Sequence, residues 1–152
     1  MAATENGTQV GLVIVTHEDC GVCLLRAAGS IVGPLQASIA VSVPSSEKFD
    51  DIVRRIGTAC DEVDTGSGVL ILVDVYGSSP FRACLAMMDG TRSAEIVCGV
   101  NLPMLIKLAT CDRRGLGPAE VAALIKEVGK RSIRLGSELT GTYAAPPRAD
   151  QR

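Results

Sequence analysis

The sequence has 152 residues, of which 47% are hydrophobic and 21% charged, and its formal net charge is −2. This length and balance predict one globular domain with a hydrophobic core, which must be aliphatic because only 3% of the residues are aromatic. The small negative charge argues against a nucleic-acid-binding surface, and no apolar run approaches the ~18–20 residues that a membrane span needs.

Short apolar runs bounded by turn residues predict four β-strands. In chain order they cover residues 10–15, 37–43, 69–73 and 95–98. The first and third runs are continuously apolar, which is typical of strands buried on both faces of a parallel sheet.

Helical spacing of apolar residues follows each predicted strand. The helices are expected at 22–32, from a Ser46 cap to Cys60, from Ser78 to about Met88, at 102–109 and at 119–133. Strand–helix alternation repeated four times predicts an α/β fold, a three-layer sandwich around a mostly parallel sheet, which we expect in the strand order 2-1-3-4.

The chain ends are expected to lie outside this domain. Residues 1–9 are predicted to form a flexible N-terminus and residues 10–143 the folded domain. The small, polar, proline-rich segment 144–152 is predicted to be disordered.

The only histidine of the chain, His17, follows the first predicted strand, and Asp74 ends the third. In the order 2-1-3-4 these strands are neighbours, and ligands of open α/β sheets bind at the carboxyl ends of the strands where the order reverses. A carboxylate there would hold one ring nitrogen as N–H and leave the other as a nucleophile. The helix that begins at Ser78-Ser79-Pro80 would attract an anion. The combination predicts phosphoryl transfer through His17.

Each of these features also has an ordinary structural interpretation. A single histidine at a strand end is often a hydrogen-bonded surface residue, Asp74 could cap a turn, and Ser79-Pro80 is a common helix start. Only their combination indicates chemistry.

Three motifs resemble the enzyme IIA components of the mannose-type (mannose/fructose/sorbose) phosphoenolpyruvate-dependent sugar phosphotransferase system. They are Thr16-His17 after the first strand, Asp74 followed by Gly77-Ser-Ser-Pro-Phe81, and Gly99-Val-Asn-Leu-Pro-Met-Leu105. With the elements between them, the resemblance covers about residues 10–135.

The resemblance implies that His17 accepts a phosphoryl group from a histidine-containing phosphocarrier protein. His17 would then pass the group to a IIB component, and through it to a membrane IIC/IID permease. Asp74 would be the partner of His17, and Gly77, Ser78 and Ser79 would bind the phosphoryl group. No metal and no cofactor are implied. A homodimer is implied, with a swapped antiparallel edge strand that we expect around residues 133–143.

The sequence departs from the family pattern near the histidine. Glu18 replaces the family's glycine and adds a negative charge, to which Asp19 adds a second. Ser78 replaces a glycine, and Arg82 replaces an asparagine. Arg82 could offset the charge of Glu18 or pair with phosphate.

Two other functions remain open at this point. Cys20-Gly-Val-Cys23 opens a helix after a strand, as thiol redox motifs do, but a redox function leaves the other two motifs unexplained. Because no IIB domain follows, a stand-alone regulatory module, in which phosphorylation of His17 controls partner binding, is also possible. No export signal is recognised, so a cytoplasmic location with six reduced cysteines is expected. One Cys-x-x-Cys pair without further ligands predicts no metal site.

Overall fold

The computed structural model describes residues 8–139, which form a four-stranded, all-parallel sheet in the order β2-β1-β3-β4. The predicted fold class and strand order are confirmed. The elements are β1 (Gly11–His17), α1 (Cys20–Val32), β2 (Ser38–Val43), α2 (Phe49–Val63), β3 (Val69–Val73), α3 (Ser79–Met87), β4 (Ala94–Cys98), α4 (Leu102–Thr110), α5 (Pro118–Arg131) and a final 3₁₀ helix (Gly136–Leu139).

The two central strands carry the core on both faces of the sheet. Successive side chains of a strand point to opposite faces, so alternate residues of β1 and β3 pack against different helices. Val13, Val15 and Ile71 lie in the cluster formed with α2 and α3. Leu12 and Ile14 lie in the cluster formed with α1, α4 and α5. The helices on the two faces complete the three layers.

Strand β1 is longer than predicted and ends at His17 rather than at residue 15. Its parallel pairing with β2 continues to the register pair His17↔Val43, whereas its pairing with β3 ends at Val15↔Val73. His17 is therefore held by the sheet itself, at its carboxyl end.

The start of α2 differs from the prediction, in which Ser46 caps this helix. The helix begins at Phe49, with Lys48 at the N-cap position and no side-chain cap. Ser46 instead lies within a turn that the Glu47 N–H closes on the Pro44 carbonyl oxygen, 3.1 Å away. The predicted cap of α3 is confirmed, because the Ser78 hydroxyl accepts a hydrogen bond from the Phe81 N–H at 3.4 Å.

The predictions for the chain ends fall partly outside the described residues. Of the predicted swapped strand, residues 133–139 form no strand and end in the 3₁₀ helix, and residues 140–143 lie outside the described part. The predicted flexible N-terminus is described only at residues 8 and 9, and Gln9 forms an antiparallel bridge with Arg114. The predicted tail 144–152 lies outside as well. Between residues 8 and 139, no helix is long and apolar enough to span a bilayer.

Candidate functional site

His17 and Asp74 meet at the carboxyl end of the sheet, although they are 57 positions apart in the chain. One carboxylate oxygen, Asp74 Oδ2, lies 2.9 Å from His17 Nδ1 and also accepts the His17 backbone N–H at 2.8 Å. The second oxygen, Oδ1, accepts the Val75 N–H at 2.8 Å. Asp74 thus orients both the ring and the backbone of His17, whose side chain remains 50% exposed.

The state of Asp74 determines which ring nitrogen carries the proton. Partial burial acts to raise the pKa of the Asp74 carboxyl, but hydrogen bonds from the His17 backbone, the His17 ring and the Val75 N–H outweigh burial and lower the pKa. An ionised carboxylate only accepts hydrogen bonds, so Nδ1 is the protonated nitrogen in this contact. In the neutral ring, Nε2 then keeps a lone pair and can act as a nucleophile.

A cleft of about 240 Å³ opens beside the ring of His17. Four parts of the chain contribute to its walls: the end of β1, the end of β2 with the segment after it, α2, and the beginning of α3. The lining residues are His17, Val43, Pro44, Ser45, Glu47, Ile52, Ser79 and Pro80. The cleft therefore joins the histidine to the start of a helix, as the strand order predicts.

The turn between β3 and α3 positions the helix start at this cleft. Gly77 adopts a φ of +77°, which favours glycine. The Ser78 hydroxyl donates to the Val75 carbonyl oxygen at 2.7 Å and also caps α3, so it is committed to holding the turn. Among the predicted phosphoryl-binding residues, Ser79 lines the cleft, whereas Gly77 and Ser78 shape the segment that leads to it.

The backbone N–H of Ser79 is available to a ligand. No hydrogen-bond acceptor for it lies within residues 8–139. A free N–H in the first turn of a helix, together with the helix dipole, favours an anion. The Ser79 N–H is therefore a candidate to bind an anion in the cleft beside His17.

Glu18, directly after the histidine, has a φ of +44°. This is the left-handed region, which costs a residue with a Cβ about 1 kcal/mol or more. Its side-chain Oε1 accepts the Ser45 backbone N–H at 3.3 Å. The Asp19 carboxylate accepts the Ser42 hydroxyl at 3.1 Å. Both acidic side chains are thus directed toward the end of β2.

Arg82, which could offset the charge of Glu18 or pair with phosphate, forms no direct ion pair with Glu18 in residues 8–139. Arg82 is exposed on α3 and makes no ion pair or side-chain hydrogen bond with any residue in the described part of the chain. It does not line the cleft.

The sequence pattern did not predict that Pro44, Ser45 and Glu47 form a wall of the cleft. This segment follows β2, which is the other neighbour of β1, so the strand order already implies that it borders His17. Its position is maintained by Arg55, whose Nη1 donates to Glu47 Oε2 at 2.6 Å and to the Ser42 carbonyl oxygen at 3.0 Å. That contact joins α2 to the end of β2 and could not be read from local patterns.

The cysteines of the Cys-x-x-Cys motif, Cys20 and Cys23, lie exposed in the first turn of α1 and are free thiols. The glycine between them has a packing role. Its N–H donates to the buried Thr16 Oγ1 at 2.7 Å, and a Cβ there would lie 3.0 Å from Ile14 Cγ2. The motif therefore has a structural explanation in the contact of α1 with β1. Within residues 8–139, no group of three or more histidine, cysteine or acidic side chains could hold a metal.

Comparison with known proteins connects this geometry to one family. A sequence model of the family described as PTS system fructose IIA component matches residues 11–126. The chain is 29% identical over 139 residues to the PTS system mannose-specific EIIAB component of Escherichia coli (strain K12), covering 90% of this chain and 42% of that protein. It is 25% identical over 129 residues to the PTS system fructose-specific EIIA component of Bacillus subtilis (strain 168), covering 85% and 88%. The chain thus spans less than half the length of the mannose-specific relative.

The fold has a close counterpart among solved structures. The mannose/sorbose specific IIA subunit of the phosphotransferase system from Enterococcus faecalis superposes with a TM-score of 0.73 at 23% identity. The match covers 84% of this chain and 94% of that one. At this identity the likeness concerns the fold.

Proposed function

Because the chain belongs to the mannose-type family of PTS system IIA components, we propose that His17 is its phosphoryl acceptor. Membership of this family assigns the chain a role in sugar phosphotransfer. The phosphoryl group would come from the phosphohistidine of a phosphocarrier protein and pass to a IIB component. The observation that carries the proposal is the 2.9 Å contact between Asp74 Oδ2 and His17 Nδ1, because it leaves Nε2 as the free nucleophile.

The transfer step involves the imidazole ring of His17 and that of the donor's phosphohistidine. The lone pair of His17 Nε2 forms a bond to phosphorus while the N–P bond of the donor breaks, and that electron pair returns to the donor ring. Because Nδ1 keeps its proton, the His17 ring gains positive charge as the new bond forms. The Asp74 carboxylate, already hydrogen-bonded to Nδ1, stabilises that charge without reorganising.

The anionic oxygens of the phosphoryl group need hydrogen-bond donors on the opposite side of the ring. The start of α3 offers them, since Ser79 lines the same cleft as His17 and its N–H has no acceptor in the described part of the chain. Gly77 and Ser78 support this role indirectly by shaping the turn. In this scheme the protein promotes the transfer by positioning the reacting groups and stabilising their charges.

The wider system is also a proposal. The relatives are named for mannose and fructose transport systems, so we infer that this chain supplies phosphoryl groups to a IIB component of a sugar permease of that class. The scheme requires no sugar-binding residue in the cleft, because only the phosphoryl group passes through it. The predicted homodimer belongs to the same proposal.

The proposal is tested by phosphorylation of the single histidine. Incubated with phosphoenolpyruvate, enzyme I and the phosphocarrier protein, the wild-type chain should take up one acid-labile phosphoryl group at His17. His17→Ala should take up none, because the chain has no other histidine. Its urea unfolding curve should resemble that of the wild type, since the ring is half exposed.

Two outcomes would contradict this assignment. The first is label retained by the His17→Ala protein, which would mean another acceptor. The second is a wild-type chain that remains unlabelled by both the protein donor and phosphoramidate, a small phosphoryl donor that needs no protein partner.

A further inference from the structure

Glu18 holds part of the wall of the His17 cleft. Its backbone N–H donates to the Val43 carbonyl oxygen at 3.1 Å, and its Oε1 accepts the Ser45 N–H at 3.3 Å. Ser45 lines the cleft together with His17 and Ser79. One backbone N–H of the cleft wall is therefore already bound by an anionic oxygen.

The position of Glu18 is maintained against a conformational cost. A φ of +44° is rarely adopted by residues with a Cβ, and such strain persists where the surroundings over-determine it. No basic side chain forms an ion pair with Glu18 in the part of the chain that the structure describes. Within residues 8–139, no ion pair therefore offsets the negative charge on the residue next to His17.

We propose that Glu18 destabilises the phosphorylated state of His17 and so favours onward transfer of the phosphoryl group. The proposal rests on the function proposed above. The unphosphorylated ring carries no negative charge and tolerates a neighbouring carboxylate. A phosphoryl group on Nε2 brings about two negative charges, which Glu18 repels. Glu18 also occupies the Ser45 N–H, a donor that a phosphoryl oxygen could otherwise use.

The expected size of the effect follows from Coulomb's law. Glu18 and His17 are exposed, so water screens their interaction. Repulsion between charges a few ångströms apart in water changes an equilibrium constant by about five- to tenfold at low ionic strength. Repulsion of this kind must weaken as salt is added.

The test compares Glu18→Gln with the wild-type chain. Glutamine retains an oxygen that can accept the Ser45 N–H but removes the charge. The phosphoryl-transfer equilibrium with a stoichiometric amount of the phosphorylated phosphocarrier protein is measured without phosphoenolpyruvate. At ~10 mM salt the variant should shift this equilibrium toward phosphorylated His17 by about five- to tenfold, and at ~1 M salt by less than twofold.

Two further variants separate charge from position. Glu62→Gln removes the same charge near the C-terminal end of α2, where Glu62 is exposed and does not line the cleft, and it should leave the equilibrium unchanged. Glu18→Gly removes the carboxylate and the backbone strain and frees the Ser45 N–H. It should shift the equilibrium at least as far as Glu18→Gln does.

The possible failures are distinguishable. If the wild-type chain is labelled at His17 but the wild-type and Glu18→Gln equilibria agree within twofold at low salt, this inference is overturned and the proposed function stands. A shift that persists unchanged at high salt also overturns it, since a change of local structure rather than charge would be responsible. If the wild-type chain accepts no phosphoryl group at all, both proposals fail together.

Discussion

The two ends of the sheet differ in how tightly the chain packs there. At the amino end the backbone is tightly packed: a Cβ on Gly11 would lie 2.5 Å from the Val63 carbonyl oxygen, and one on Gly68 would lie 2.4 Å from that of Ser93. At the carboxyl end, the ends of β1 and β2, the segment after β2, α2 and the beginning of α3 surround an open cleft in which His17 is half exposed.

The two ends also differ in whether their polar groups are buried and hydrogen-bonded or accessible. The guanidinium of Arg113 lies at the amino end, with the residue 2% exposed, and donates to the carbonyl oxygens of Leu108 at 3.1 Å and Gln36 at 2.8 Å. It thereby joins the α4–α5 connection to the segment before β2. At the carboxyl end, by contrast, His17 Nε2 and the Ser79 N–H are left available to a ligand.

Stability and the proposed function therefore depend on opposite ends of the sheet. Contacts that bury polar groups completely contribute to folding, whereas groups that must meet a partner are kept accessible and contribute less. Substitutions at the amino end should therefore change the free energy of unfolding, and those at the carboxyl end should change the phosphoryl-transfer rate.

The largest effect on stability is expected from Gly11→Ala. The added Cβ would also lie 2.6 Å from Val63 Cγ2, so α2 would have to move away from β1, at a cost of about 3 kcal/mol or more. Urea denaturation measures the loss. Gly57→Ala in α2 is the control: its Cβ would meet only Met87 Cγ at 3.9 Å, and it should stabilise the protein by about 0.5–1 kcal/mol. Equal stabilities of the two variants would contradict the tight packing at Gly11.

Arg113→Ala should have the next largest effect on stability, with a loss of about 2–4 kcal/mol in the free energy of unfolding. It removes two donors from carbonyl oxygens and leaves a space in a buried region. The neighbouring residue provides the control, because Arg114 is exposed and, between residues 8 and 139, forms an ion pair only with Asp112, at 2.7 Å. Arg114→Ala should shift the urea midpoint far less. Similar shifts for the two arginines would show that Arg113 does not connect these segments.

At the carboxyl end, Asp74→Asn should slow phosphoryl uptake by roughly 10–100-fold without abolishing it, because the acceptor remains but loses its orientation and charge stabilisation. Rapid-quench measurement of label uptake gives the rate. Asp50→Asn removes the same charge from an exposed position in the first turn of α2 and should leave the rate unchanged.

The unfolding free energy of Asp74→Asn should fall by less than about 1 kcal/mol, since the His17–Asp74 pair is partly exposed. A rate equal to wild type would refute the role given to Asp74.

The smallest effects are expected from the exposed cysteines. Cys20→Ser and Cys23→Ser should leave phosphoryl uptake within about twofold of the wild type, because neither thiol lines the cleft. A reversible Cys20–Cys23 disulfide that switched uptake on and off would instead favour the redox alternative.

Thiol labelling at pH 8 provides a further check on the two kinds of cysteine. In the folded chain Cys20 and Cys23 should be modified, whereas Cys60 and Cys84 should react only after unfolding. Burial raises the pKa of the Cys60 thiol to about 11 and that of the Cys84 thiol to about 12, so both are protonated as well as inaccessible. Rapid labelling of Cys84 in the native state would contradict the packing of α3.

Much of the fold was predictable because it depends on local periodicity. Continuous apolar runs predict that β1 and β3 are buried on both faces of the sheet. These runs do not by themselves fix the order 2-1-3-4, which the structure confirms and which brings His17 next to Asp74. The cap of α2 was mispredicted at Ser46, because a serine before a helix and a serine in a turn have the same local signature. The hydrogen bond from the Glu47 N–H to the Pro44 carbonyl oxygen decides between them.

The alternation of elements, the faces they bury and the residue types at the sheet's carboxyl end all follow from the amino-acid sequence. Which polar groups meet at that end depends on the assembled fold: Asp74 contacts the His17 ring, Glu18 accepts the Ser45 N–H, and Arg55 pairs with Glu47. The assembled fold also buries Arg113, although Arg114 beside it is exposed. Burial patterns repeat with the period of a strand or helix and can be read along the chain. Hydrogen bonds between distant residues depend on distances of a few ångströms, which exist only once the sheet and helices are assembled.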